Sequence, residues 1–134
     1  MRYGTCLAKS MAVRRYQDLV CWQLSMKVKR EVYAITDREV AKKDVKVCDQ
    51  IRDSGRSAPR SIAEGFGRYR PAEFAHYLEI ARGSLMETDN HLRDALDCRY
   101  VTKEEHTSLC RLVDRAIGAT TKLIVYLKGK GRNH

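Results

Sequence analysis

Residues 71–99 read PAEFAHYLEIARGSLMETDNHLRDALDCR, and their spacing decides the fold. Phe74, Leu78, Ala81, Leu85, Thr88, Leu92 and Ala95 recur at steps of three or four, which places them on one face of a helix. At roughly 1.5 Å per residue this helix is a rod about 40 Å long. Pro71 at the first helical position and Glu73 in the first turn mark its start. A rod with one apolar face has to be covered by other elements.

The flanking sequence supplies them. Cys21, Leu24, Val28, Val32 and Ile35 form one stripe of an earlier helix that begins after Asp18, a plausible N-cap. Leu19, Trp22, Met26 and Tyr33 form a second stripe on the same helix, so it needs two neighbours, from this chain or from another copy. Residues 37–43 read as a connection. The next helix starts near Asp44 with Val47, Ile51, Ser54, Ala58 and Ile62 inward. Ser54, Gly55, Ala58 and Ala63 are small enough for close helix approach. Pro59 is expected to kink this helix, and Gly65 and Gly67 to end it. Thr102-Lys103-Glu104-Glu105 has capping-box spacing and opens a last helix. Its inward stripe is Leu109, Val113, Ala116, Ile117, Thr120, Ile124 and Leu127.

The whole chain agrees. It has 134 residues, enough for one domain, and only two prolines and eight glycines, too few breakers for a sandwich or barrel. The expected fold is all-α: an antiparallel up-down four-helix bundle over residues 16–128, with a basic arm at 1–15 and a frayed basic tail at 129–134. No apolar run approaches the roughly 20 residues of a membrane span, and the N-terminal stretch lacks a signal-peptide core, so a cytoplasmic protein is expected. Cys6, Cys21, Cys48, Cys98 and Cys110 show no CxxC spacing and read as reduced, mostly buried side chains.

Charge carries the first functional signal. The 26 basic residues exceed the 17 acidic ones by 9. Residues 1–70 hold 16 basic and 8 acidic side chains, whereas residues 71–134 hold 10 and 9. The positive field therefore belongs to the first half, as for an anionic partner, nucleic acid first. Arg52, Arg56 and Arg60 repeat every four residues opposite the apolar stripe of the second helix. Arg68 and Arg70 flank Tyr69, combining phosphate-binding groups with a ring on which a base stacks. Lys42, Lys43 and Lys46 extend the charge at the other end of that helix. The alternative is a face neutralised locally by Asp49 with Arg52, Asp53 with Arg56, and Glu64 with Arg60.

Reaction chemistry finds no support. Glu73 and His76 have the i, i+3 spacing of a di-iron bundle, but no second ExxH exists, so a capping acid and a surface histidine are expected, without metal. His91 and His106 read as exposed or hydrogen-bonded. Ser84 lies in RGSLM, not in a GxSxG elbow, and Gly65-Phe66-Gly67 does not extend to a dinucleotide fingerprint. No catalytic residue and no cofactor is assigned.

Several segments in this order resemble a known family: YQDLVCWQ at 16–23, Gln50-Ile51-Arg52, SAPRSIAEGF at 57–66, Glu73-Phe74 and IARGSLME at 80–87. They are similar to the four-helix-bundle intervening-sequence proteins, named for reading frames in insertions within bacterial large-subunit ribosomal RNA genes. The similarity extends from Tyr16 to about Leu127. It departs at Ser61, where the family usually has asparagine, and at Ala58, where it has isoleucine or valine. The resemblance implies a ring-shaped homopentamer with no established enzymatic activity. It also implies kinship with accessory proteins of diversity-generating retroelements, which bind nucleic acid and a reverse transcriptase through a basic ring surface. The expected function is thus non-enzymatic binding of nucleic acid, RNA more than DNA, by an oligomer using Arg52, Arg56, Arg60, Arg68, Tyr69 and Arg70. The alternative is a scaffold that recruits a protein partner such as a reverse transcriptase.

Overall fold

A computed structural model describes residues 13–132 of the chain, with side chains through residue 130. Among the described residues a 3-10 turn at Tyr16–Asp18 precedes four α-helices: α1 (Val20–Thr36), α2 (Val45–Phe66), α3 (Pro71–Asp97) and α4 (Lys103–Arg132). Each helix packs on its neighbours in sequence, and α1 meets α4 to close the set around a shared core. No described helix is long and apolar enough to cross a membrane.

The stripes become the core. All five residues of the first α1 stripe and all seven of the α3 stripe are buried. The second α1 stripe finds its neighbour within the chain: α2 and α4 flank α1, Leu19 is fully buried, and Trp22 and Tyr33 are half-buried against the core. In α4 the stripe holds except at Ile117, which is only half-buried. Leu123 is fully buried, because it lies three residues beyond Thr120, on the inward side. Fully burying such a side chain stabilises by about 1.5–3 kcal/mol.

Several boundaries differ from the sequence reading. Asp18 does not cap α1; it closes the 3-10 turn, donating its N–H to Arg15 O at 3.1 Å. Buried Leu19 takes the cap position with no side-chain cap bond, so apolar anchoring sets this start. Val13, placed in the arm, is buried in the core, while residues 1–12 of the expected arm lie outside the described residues. The last helix runs to Arg132, through most of the expected tail. Buried Leu127 and half-buried Tyr126 support that extension, and Lys130 Nζ lies 5.8 Å from the Tyr126 ring centroid.

As expected, α2 starts after Asp44, whose carboxylate accepts the Val47 N–H at 3.3 Å. It continues past buried Pro59 to Phe66, so the missing donor does not end it. Gly65 is not the terminator; it lies inside the last turn, and Gly67 is the C-cap with a right-handed φ of −75°. A Cβ on Gly65 would lie 2.6 Å from Tyr77 Cβ and 3.0 Å from Phe74 Cδ1. Its glycine is required by the approach of α3. Farther along the same interface, Ser57 and Ser84 hydroxyls pair at 2.7 Å and Thr88 Oγ1 lies 2.8 Å from Ser54 Oγ.

One end of the bundle is tied by a polar network. Thr102 Oγ1 accepts the Glu105 N–H at 3.1 Å and Glu105 accepts the Thr102 N–H at 2.8 Å, which is the predicted capping box. Glu105 also pairs with Arg38, which donates to Tyr100 O at 2.9 Å, while Tyr100 Oη–H donates to Asp44 at 2.7 Å. The Arg38 hydrogen bond, followed by the Thr102 N–H, holds the Glu105 carboxyl at about 2, below its usual 4.5. A lowered folded value means that its stabilisation is complete above pH ~4.5 and fades as pH falls toward 2. Glu105→Ala is expected to lose about 1–2 kcal/mol at pH 7, the range of a helix N-terminal cap. Denaturant titrations should show the gap to wild type closing between pH 4.5 and 2; a gap constant down to pH 2 would contradict the assignment.

Candidate nucleic-acid interface

Because Ile51, Ala58 and Ile62 face the core, the helical period turns Asp49, Asp53, Arg56, Arg60 and Glu64 outward, and all five are exposed. Arg56 donates to Asp53 Oδ1 at 2.6 Å, the pairing expected from sequence. This bond, with the Tyr33 side chain adding to it, raises the Arg56 pKa, so its charge is permanent. The other two expected pairs make no close contact, and Arg60 acts on Glu64 through its charge alone. Glu64 pairs at 2.9 Å with Arg68, one turn later, instead of with Arg60. A glutamate N-terminal to its cation is the favoured order on a helix, and that was the available signal. Arg68 also holds the Glu64 carboxyl below the usual carboxylate range, with the Tyr77 hydroxyl helping. Among the described ion pairs none involves Arg60.

Arg52 turns toward α1 instead of toward Asp49. Its Nε donates to Thr36 Oγ1 at 2.7 Å, its Nη2 to Asp37 Oδ1 at 2.9 Å, and its guanidinium lies 4.5 Å from the Tyr33 ring centroid. Only 31% of its side chain is exposed. Asp37 lies beyond the end of α1, so no spacing rule along one helix reveals this partner. Lys29 approaches the same ring at 5.6 Å. Tyr33 therefore gathers Lys29, Arg52 and Arg56 along the α1–α2 seam, a cationic cluster that the sequence reading missed. Lys29 and Tyr33 stand one turn apart, which was its only local sign.

The α2–α3 turn carries the remaining three predicted residues. Arg68 donates to Glu64 and, at 2.7 Å, to Tyr77 Oη, so it is engaged on both sides. Tyr69 is exposed and has a φ of 65°. Arg70 precedes Pro71, which holds it extended at φ −104° and ψ 127°. Its side chain is 80% exposed, with Glu73 at 3.5 Å. Lys42 pairs with Glu39 at 2.7 Å, whereas Lys43 and Lys46 are exposed.

The six predicted residues thus divide by engagement. Arg52 and Arg68 each hold two partners, Thr36 with Asp37 and Glu64 with Tyr77, whereas Arg56 pairs with exposed Asp53, Arg70 has Glu73 at 3.5 Å, and Arg60 and Tyr69 are exposed. An exposed ion pair such as Arg56–Asp53 contributes at most about 1 kcal/mol, so a phosphate can replace the carboxylate at little cost. The arrangement leaves three guanidinium groups and one aromatic ring accessible, beside the exposed acids Asp49, Asp53 and Glu64.

Glu73 is in the first turn of α3 and His76 is exposed. Among the described residues no three metal-ligating side chains converge. His91 lies 3.4 Å from Glu87 Oε2, and His106 Nε2 lies 3.4 Å from Cys110 Sγ. Burial pushes the Cys110 thiol up to about 11 and also raises Cys48, so neither is a thiolate near neutral pH. Cys21 and Cys48 are buried as expected and Cys98 is exposed as the C-cap of α3; Cys6 lies outside the described residues.

A protein-family model described as 23S rRNA-intervening sequence protein matches residues 17–122. No curated protein matches the chain.

Proposed function

Because this chain belongs to the 23S rRNA-intervening sequence protein family, we propose that it is a non-enzymatic, cytoplasmic, oligomeric bundle that binds nucleic acid, RNA in preference to DNA. Binding runs through the outward face of α2 and the α2–α3 turn, by phosphate contacts of low sequence specificity. The observation that carries this reading is Arg60, exposed and outside every described ion pair, next to Arg56, whose carboxylate partner is itself exposed. Arg70 adds a third accessible guanidinium.

The helices run antiparallel, up and down. Contacts that climb α2 descend α3, Ser54 with Thr88, Ser57 with Ser84, and Gly65 with Tyr77, and this supports the order. The family resemblance implies assembly as a pentameric ring, which would repeat a modest basic patch and multiply its valency. Exposed Ile80 and Met86 on α3 and Val125 on α4 support a further contact surface. Gly83 and Gly118 on those helices have nothing within 4 Å of an added Cβ, so packing within the chain does not require them. The same apolar residues favour the second reading, a scaffold for a protein partner such as a reverse transcriptase.

Size exclusion with light scattering on nuclease-treated protein, with and without a short RNA, tests both halves. The expected result is a pentamer that binds RNA at low salt and releases it at high salt. A pentamer indifferent to RNA at low salt would move the reading to the protein partner, and a monomer would contradict the ring.

A further inference from the structure

Among the described residues, two other than glycine have a left-handed backbone, Arg99 with φ 64° and Tyr69 with φ 65°. This region is sterically unfavourable for any side chain with a Cβ. Arg99 has a local compensation. It follows the C-cap of α3, where Tyr100 N–H donates to Ala95 O at 2.8 Å and Arg99 N–H to Leu96 O at 2.9 Å. These two bonds form a Schellman cap and satisfy carbonyls that the helix end leaves open.

Tyr69 has no such compensation. The bonds that close α2, Gly67 N–H to Glu64 O and Arg68 N–H to Gly65 O, end before it. The next, Phe74 N–H to Arg70 O, begins after it. Its ring adds a second unfavourable feature, because at 74% it is the most exposed of the large hydrophobic side chains described. Strain and an exposed ring thus coincide at one residue, and among the described residues no backbone hydrogen bond offsets the strain. Strain of this kind concentrates where a residue is presented for use.

The surroundings indicate the occupant. The next residue, Arg70, is extended ahead of Pro71 and carries a guanidinium that is 80% exposed, with Glu73 at 3.5 Å. An exposed planar face followed in the chain by an accessible cation fits a base and its phosphate. A paired duplex hides the faces of its bases inside the stack, so the base has to be unpaired. Resting on the nucleic-acid reading above, we propose that Tyr69 is held out by its left-handed backbone as a stacking platform for an unpaired base of a single-stranded nucleic acid, with Arg70 on the adjoining phosphate.

The test measures binding of labelled 12-nucleotide single strands and the matching duplex to the full chain at low salt. Wild type should prefer the single strand. Tyr69→Ala should lower single-strand affinity by about tenfold or more, leaving the duplex unchanged, and Tyr69→Phe should bind as wild type. Tyr69→Gly separates strain from contact: it should raise the melting temperature by about 3 °C while losing the same affinity. Equal binding of the two forms by wild type, unchanged affinity in Tyr69→Ala, or a lower melting temperature in Tyr69→Gly would overturn the proposal while leaving the basic surface intact. Wild type that binds neither form would remove the nucleic-acid reading and this proposal with it.

Discussion

Gly65→Ala is expected to destabilise the bundle by about 2 kcal/mol, although alanine is the better helix former by about 1 kcal/mol. The sign is set by what the new methyl meets. Tyr77 Cβ, 2.6 Å from the added carbon, is attached directly to the α3 backbone and cannot swing away as a side-chain tip could. Relief requires α2 and α3 to separate, which loosens the Phe66–Phe74 edge-to-face pair now at 5.9 Å. Gly55 supplies the control on the same helix. A methyl there would sit 3.7 Å from Val32, ordinary contact, so Gly55→Ala should be neutral or stabilising by up to about 1 kcal/mol. Chemical denaturation of both variants checks the pair; destabilisation of equal size at the two sites would show that crowding at α3 is not the cause.

Charge reversal of Arg56 and Arg60 together has the largest expected effect on binding. Each reversal removes a cation from the outward face of α2 and adds a repulsive charge, so RNA affinity at low salt should fall by tenfold to hundredfold, on the order expected when phosphate contacts are lost. Stability should change little, because both side chains are exposed and what is lost among the described residues is the exposed Arg56–Asp53 pair and the attraction of Arg60 for exposed Glu64. Arg52→Ala should behave in the opposite way. It removes the hydrogen bond to Thr36 Oγ1, the pair with Asp37 and the stack on Tyr33, so it should lower stability by about 1–2 kcal/mol. Melting curves beside RNA titrations distinguish the two kinds of arginine. A double reversal that binds as wild type would reject the proposed surface.

This division of the arginines shows where sequence is informative. Apolar periodicity is a local property repeated over many turns, so the α1 and α3 stripes could be read residue by residue. The Thr102–Glu105 box was equally legible, because both partners lie within one turn. Three features were not. The α4 extension depends on packing at Leu127 and Tyr126, while the glycines and lysines beyond them resemble a frayed end. The partner of Arg52 lies across a helix junction, fifteen residues away. Gly65 has the same letter whether it ends a helix or admits a neighbour, and only the position of Tyr77 decides between them. For the site, the sequence identified which side chains carry charge and an aromatic face. It could not show which of those charges were already committed to Asp37, Glu64 and Tyr77, since that depends on tertiary neighbours.

If Arg56 and Arg60 contact phosphates, the salt dependence of RNA affinity records the counterions they displace. For wild type and Arg56→Ala/Arg60→Ala, log Kd is measured against log salt concentration with one single-stranded RNA. Each lost phosphate contact should reduce the steepness by about 0.7 for a single strand, so the variant line should be visibly shallower and the two should converge at high salt. Parallel lines of equal slope would contradict the account, because they would show that neither arginine displaces counterions from the RNA.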